Sequence, residues 1–177
     1  MASTLKVNTI QGASNTATTI KTNGGTDAMT IDTSGRILTP TRPSFYVRGN
    51  GGWKDHGSTR VVYFKTSNQA VEVISNVGSH YDASTGRFTV PVTGLYQFNV
   101  SLYCNQDGDG TTYAQFYVDG VHLHNNFMIY RNDDTGYPDN SLNFSIAVEL
   151  TASQYMEIQV VEDLYGHHSY WNGALIG

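Results

Sequence analysis

Acidic and amide side chains recur at alternate positions between Asn105 and Gly110. Asp107 and Asp109 supply carboxylate oxygens in this stretch, and oxygen ligands at alternate positions can converge on a hard cation such as calcium. Phe116 stands where the loop of an EF-hand would place its bidentate glutamate. The pattern therefore predicts either a calcium site outside the EF-hand class or a solvent-exposed turn of aspartate and glycine.

Two histidines, His122 and His124, also stand at alternate positions, directly after an Asp119–Gly120 turn. On a strand such residues point to the same face, so three copies of the chain around an axis would gather their imidazoles into a metal site. The alternative, which the position after a turn favours, is a pair of surface histidines on a peripheral strand.

Aromatic, basic and acidic residues cluster between positions 130 and 137. Aromatic rings and polar side chains of this kind suit sugar rings, and we expect the cluster to contact a receptor through Tyr130, Arg131, Asp133, Asp134 and Tyr137. The adjacent aspartates also offer a second acidic site for calcium.

No catalytic signature stands out in the chain. The nucleophile-elbow pattern Gly-x-Ser-x-Gly does not occur, and Cys104 ends an alternating segment where a small, partly buried thiol is expected. A pair of carboxylates could still hydrolyse a glycan, so a glycan-degrading enzyme is the less favoured alternative. We expect a protein that is not an enzyme and requires no cofactor.

Composition excludes several classes of protein. The 177 residues include 10 Lys+Arg and 15 Asp+Glu, a formal net charge of -5 that argues against nucleic-acid binding. No apolar run reaches the roughly 18–20 residues of a membrane helix, so no membrane insertion is expected. The first residues lack the pattern of a secretory signal, and a single cysteine excludes an intrachain disulfide framework.

Aromatic residues divide the chain into two parts. The first of them is Phe45, and residues 1–44 carry only scattered aliphatic side chains, too few to offset the ordering of their own backbone. The segment from Thr39 to Ser44 contains two prolines and is typical of a boundary. A segment such as 1–44 is either a flexible tail or ordered against partner chains. We predict a short β-rich stalk over 1–44 and a head domain over 45–177. Strand-like segments within the stalk are 4–8, 18–22, 28–32 and 36–38.

Period-2 alternation dominates the predicted head. Apolar residues alternate with polar ones over 88–92, 96–102, 114–118, 142–150 and 156–160, with Gly- and Asp-rich turns between these segments. No helical spacing of apolar residues competes with this pattern. The sequence predicts an all-β, antiparallel jelly-roll sandwich.

Residues at fixed spacing in this head resemble the central stretch of complement C1q-type head domains. The matching positions are Asn76, Tyr81, Phe88, Gly94, Tyr96 and Phe98, and residues 171–176 resemble the closing strand of the family. The resemblance implies a jelly roll related to the tumour necrosis factor fold that assembles as a homotrimer.

Residues 1–11 and 28–38 resemble the N-terminal parts of tail-fibre and appendage proteins of marine bacteriophages. This resemblance implies a virion protein that is assembled in the host cytoplasm and contacts other virion proteins through residues 1–44. The head would then recognise a glycan or protein on the host surface. A capsid decoration or tail-joint protein with a purely structural head is the main alternative.

Overall fold

The computed structural model describes residues 16–54, 60–105, 111–123, 129–132, 139–161 and 164–177. These ranges contain strands, turns and bends but no α-helix, and hence no helix that could cross a membrane. The chain divides into two compact units, Met1–Arg42 and Pro43–Gly177.

The described part of the first unit is a small antiparallel sheet, in which strands predicted near residues 18–22, 28–32 and 36–38 are present. Tight turns connect its strands, and the second turn is closed by Asp32, which accepts hydrogen bonds from the backbone N–H groups of Ser34 and Arg36. These bonds, together with the Arg36 side chain, lower the pKa of Asp32. The three strands are β1 (Thr18–Lys21), β2 (Asp27–Ile31) and β3 (Ile37–Leu38).

The second unit is a sandwich of two antiparallel sheets, as the alternation predicted. The six-stranded sheet has the order β14-β10-β16-β4-β7, with β5 beside β16. The longest strands lie in this sheet, and β10 pairs along its whole length with β14. The strands of this sheet are β4 (Ser44–Gly49), β5 (Trp53–Lys54), β7 (Val71–Val77), β10 (Gly94–Asn105), β14 (Asp139–Leu150) and β16 (Leu164–Leu175).

The seven-stranded sheet forms the other layer. Its order is β12-β11-β15-β9-β8, with β13 beside β11 and β6 beside β15. The strands of this sheet are β6 (Val61–Val62), β8 (Tyr81–Asp82), β9 (Arg87–Thr89), β11 (Thr111–Val118), β12 (Val121–His122), β13 (Ile129–Asn132) and β15 (Tyr155–Val161).

Aromatic rings fill the space between the two sheets. Phe45 lies at the centre, with its ring 4.8 Å from that of Phe88 and 4.6 Å from that of Trp171. Gly173 leaves room for this packing, because a Cβ atom there would lie 2.4 Å from the ring of Phe98. Burying such rings is the main favourable term for a domain of this size.

The residues that carry the family resemblance have identifiable structural roles. The Asn76 side chain donates to the carbonyl of Tyr81 (2.8 Å) and accepts from the N–H of Tyr81 (3.0 Å), which fixes the chain between β7 and β8. The Tyr81 hydroxyl donates to the carbonyl of Phe64, and burial raises the pKa of Tyr81. Tyr96 and Phe98 are fully buried, as predicted.

Candidate functional site on the outward face of the six-stranded sheet

The outward face of the six-stranded sheet is lined by tyrosine and amide side chains. Successive strand residues point to opposite faces, so the neighbours of the buried Phe45, Phe98 and Trp171 point away from the core. We call this surface the tyrosine–amide face and define it by Tyr46, Arg48, Gln97, Asn99, Asn143, Ser145, Tyr170 and Asn172. Arg48 is the one charged residue of this set.

Amide groups are paired at the centre of the face. Asn99 lies opposite Asn172, and its Nδ2 donates to Asn172 Oδ1 at 3.0 Å. Gln97 Nε2 donates to Asn99 Oδ1 at 3.4 Å. The pairing links these side chains to one another and leaves a polar but uncharged surface.

The ring of Tyr170 stands above this surface with 40% of the residue exposed. It meets Tyr46 edge to face, with 6.2 Å between the ring centroids. A cleft of about 290 Å³ on one side is lined by Asn99, Val100, Asn143, Phe144, Ser145 and Tyr170. A cleft of about 270 Å³ on the other side is lined by Tyr46, Arg48, His167, His168, Ser169 and Tyr170.

A bulge in β16 forms the wall of the second cleft. Ser101 pairs with Tyr170 but Tyr103 pairs with Tyr165, so residues 166–169 have no one-to-one partners on β10. The N–H of Tyr103 donates to Ser169 Oγ at 3.1 Å, which ties the bulge to β10. Bulges of this type redirect side chains, and here two exposed histidines reach the cleft.

Close backbone packing behind the bulge explains why glycines occur there. The side chain of Gln69 is almost completely buried and accepts from the N–H of Ala70 at 2.9 Å. A Cβ atom on Gly51 would lie 2.1 Å from Gln69 Oε1, and one on Gly49 would lie 2.5 Å from the carbonyl oxygen of Gly166. The sequence at these positions therefore allows the loop after β4 to support the bulge.

The charge of Arg48 is balanced by Glu72 on the neighbouring strand. Arg48 Nε and Nη2 lie 2.8 Å and 2.7 Å from Glu72 Oε2. His168 lies on the other side of the cleft, with its ring 5.2 Å from that of Tyr103. The tyrosine–amide face therefore presents little net charge, which suits contact with a protein surface better than attraction of an ion.

The outward face of the seven-stranded sheet carries a different, charged network. Glu157 has a side chain only 2% exposed and accepts from Arg87 Nε at 2.8 Å and from Gln159 Nε2 at 2.6 Å. The hydrogen bond from Arg87 to Glu157 raises the pKa of Arg87. The Arg87 guanidinium also stacks on Tyr155, 3.9 Å from the centroid of the ring. Both charged groups have a partner here, so the buried carboxylate of Glu157 is not left uncompensated.

Two of the predicted receptor residues lie at one edge of the seven-stranded sheet. Tyr130 and Arg131 belong to β13 and pair with Tyr113 and Thr112 of β11, although their side chains are outside the described set. Asp133, Asp134 and Tyr137 also lie outside the described residues.

The predicted metal ligands are described only in part. His122 is exposed on β12, with its ring 6.2 Å from that of Tyr117. His124, Asp107 and Asp109 lie outside the described residues. Within the part of the chain that the structure describes, no three His, Cys, Asp or Glu residues are grouped to hold a metal ion, and calcium binding stays a prediction.

Comparison with known families identifies the head. The model of the C1q domain matches residues 44–171. The chain belongs to the C1q family. The match confirms the resemblance to C1q-type head domains that was based on residues such as Asn76, Tyr81 and Phe88.

Curated relatives match a part of this C1q domain. Complement C1q tumor necrosis factor-related protein 3 of Mus musculus is 31% identical over 88 residues, which cover 48% of this chain and 34% of the relative. The protein of the same name from Homo sapiens matches with the same identity and coverage. The match thus spans about a third of these relatives.

Solved structures confirm the jelly roll. The globular domain of the zebrafish complement 1qA protein matches with a TM-score of 0.53 and 20% identity, covering 77% of this chain and 98% of that one. Eiger TNF from S. frugiperda matches with a TM-score of 0.55 and 16% identity over 77% and 94% of the two chains. Murine APRIL matches with a TM-score of 0.55 and 10% identity over 76% and 99%. At these identities the likeness concerns the fold.

The tyrosine–amide face was not among the predicted sites. The sequence contains a partial sign of this face, because Gln97, Asn99 and Ser101 alternate with core residues on β10. Tyr46 and Asn172 come from strands far apart in the sequence, and only the pairing of β4, β16 and β10 brings them together.

Proposed function

We propose that this C1q-family chain is a homotrimeric fibre or spike protein of a bacteriophage. Residues 1–44 would attach it to the virion, and the head would recognise a glycan or protein on the host surface. The role is one of binding, and no catalytic step is part of it. The observation that carries the proposal is the tyrosine–amide face. This surface suits self-association, and its use in a trimer would leave the rest of the head free to bind a receptor.

The composition of this face supports self-association. The cores of protein interfaces are enriched in tyrosine and depleted in Lys, Glu and Asp. Tyr46 and Tyr170 provide aromatic area, Asn99 and Asn172 satisfy each other, and Arg48 is neutralised within its own chain. Two further copies of the chain are the occupants we propose, in keeping with the trimer that the C1q resemblance implies.

The receptor-binding edge would remain accessible in such a trimer. Tyr130 and Arg131 lie on β13, which pairs with β11 in the seven-stranded sheet and not with any strand of the six-stranded sheet. Asp133, Asp134 and Tyr137 follow in the sequence. Aromatic rings beside polar groups support recognition of a saccharide by this edge.

The attachment role is supported by the first unit. No residue among the described 16–42 is buried, so the sheet of β1–β3 has no core of its own and is suited to contacts with other chains. The resemblance of residues 1–11 and 28–38 to the N-terminal parts of phage appendage proteins favours a virion as the place of attachment.

A complementation assay in phage tests both halves of the proposal. Deleting residues 1–38 should remove the protein from particles, because the attachment segment is lost. Replacing Asp133, Asp134 and Tyr137 by alanine together should keep the protein in particles and weaken adsorption to the host at least tenfold. The matched control replaces the exposed Thr89 and Thr151, which lie outside the tyrosine–amide face, by alanine and should change neither incorporation nor adsorption.

Three results would contradict the proposal. Incorporation of the deletion variant would show that residues 1–38 do not attach the chain. Normal adsorption by the loop variant would favour the decoration or tail-joint role, while release of sugar by the purified protein would favour the glycan-degrading alternative.

A further inference from the structure

The sheet of β1–β3 has two faces of different chemistry. Ile20 lies opposite Met29, and Ile31 lies opposite both Thr18 and Ile37. Directly opposed residues in an antiparallel sheet point to the same side, and so do alternate residues of one strand. Four aliphatic side chains therefore share one side, which we call the isoleucine face and define by Ile20, Met29, Ile31 and Ile37.

The opposite face is more polar. Thr19 lies opposite Thr30, and their hydroxyl oxygens are 3.5 Å apart. Leu38 lies opposite Thr30 on this side and is the one large aliphatic residue of this group. Neighbouring residues on β3, Ile37 and Leu38, thus point to different faces.

The isoleucine face is open to solvent in a single chain. Ile20 is 46% exposed, Ile31 36% and Ile37 66%. A small sheet is independently stable only when its hydrophobic face is covered, because ordering the backbone costs about 1–2 kcal/mol per residue. The sheet therefore needs a partner surface that is also apolar.

We infer that the isoleucine face packs against the same face of two other copies of this chain, so that residues 16–42 form a threefold stalk. This inference rests on the proposed trimer. The occupant is a copy of the chain because Arg42 directly precedes Pro43, where the C1q head begins. A trimeric head tethers three identical sheets by a short connection, which gives them a millimolar effective concentration for one another.

Charge balance within the sheet removes the main obstacle to this packing. The charged residues of β1–β3 and their turns are Lys21, Asp27, Asp32 and Arg36, and they form two ion pairs within the chain, Lys21 with Asp27 and Arg36 with Asp32. The fifth charged residue of 16–42 is Arg42, which follows the last strand of the sheet. Identical sheets therefore meet without net repulsion. Aliphatic β-branched side chains on each copy provide surfaces that match each other.

Hydrogen exchange on the full-length protein tests whether the face is covered. The amides of β1 and β2 should be protected at least tenfold relative to the unfolded chain. Ile37→Asp should abolish this protection while light scattering still shows a trimer, because the head holds the copies together. Leu38→Asp is the matched control on the opposite face and should keep the protection.

A second pair of measurements identifies the occupant. Spin labels on Ile37→Cys, in a chain that also carries Cys104→Ser, should broaden each other strongly, whereas labels on Leu38→Cys should do so less. Deleting residues 1–15, which contain Leu5, Val7 and Ile10, should leave the protection of β1 and β2 unchanged.

The outcomes separate this inference from the proposed function. A full-length monomer would overturn both. A trimer with unprotected β1 and β2, equal broadening at positions 37 and 38, or loss of protection on deleting residues 1–15 would overturn the threefold stalk alone.

Discussion

Glu157 is a carboxylate on the outward side of a sheet that is nevertheless buried. Arg87 of β9 and Gln159 of β15 donate hydrogen bonds to it, and the Arg87 guanidinium stacks on Tyr155 of β15. Such a carboxylate depends on its cation, since burial without a partner is far more costly than exposure.

Removing the cation should therefore cost more than removing the pair. We expect Arg87→Met to lower the free energy of unfolding by about 3 kcal/mol, because it leaves Glu157 buried without its positive partner. The double variant Arg87→Met/Glu157→Met should recover at least half of this loss. Urea denaturation of the single and double variants measures both values. Equal losses for Arg87→Met and the double variant would show that the pair does not act as a unit.

At the level of single residues, alternation predicted the core and missed this network. Met156 and Ile158 were assigned to the core, and both are fully buried. Their neighbour Glu157 is equally buried, because Arg87, 70 residues earlier in the chain, pairs with it across the sheet. The periodicity of a sequence indicates on which face of a strand a residue lies, but it does not indicate which side chains cover that face.

The bulge of β16 is the element on which the second cleft depends. The glycines behind it bring the loop after β4 against residues 166–169. The N–H of His167 donates to the carbonyl of Gly51 at 3.0 Å, and that of Gly166 donates to the carbonyl of Gly52 at 3.3 Å. These two hydrogen bonds connect the loop after β4 to the bulge of β16.

A methyl group placed in this contact should be costly. We expect Gly49→Ala to lower the free energy of unfolding by about 1–3 kcal/mol, because its Cβ would meet the Gly166 carbonyl oxygen, which belongs to the backbone and cannot rotate away. Ser75→Ala, at an exposed position of β7 in the same sheet, should change it by less than about 0.5 kcal/mol. Thermal or urea unfolding distinguishes the two. A cost at Gly49 as small as that at Ser75 would mean that the bulge is not held by this contact.

Strands with regular alternation were predictable, and the bulge was not. The segments predicted over 96–102, 142–150 and 156–160 lie within β10, β14 and β15. At the bulge, residues 166–169 of β16 lie opposite residues 101–103 of β10. The bulge also depends on Gln69, which is distant in the sequence and donates to the carbonyl of Gly52. A local pattern of residues does not contain such a contact.

At the scale of the whole chain, composition and structure indicate where large side chains are buried. Among the residues that the structure describes, the buried hydrophobic ones begin at Phe45, the first aromatic residue of the sequence, and all belong to the unit Pro43–Gly177. The C1q head therefore has a core of its own. We expect assembly to depend on its surface, and above all on the tyrosine–amide face.

Assembly of the head should depend on the uncharged centre of the tyrosine–amide face. We expect Asn172→Asp to convert the trimer into monomers at neutral pH without unfolding it. The new carboxylate can still accept from Asn99 Nδ2, but an interface would bury one charge per copy, and Arg48 is already bound to Glu72. Val121→Asp adds the same charge at a residue 68% exposed on the seven-stranded sheet and should leave the trimer intact. Light scattering gives the mass and circular dichroism the fold. Trimers of both variants would place self-association on another surface.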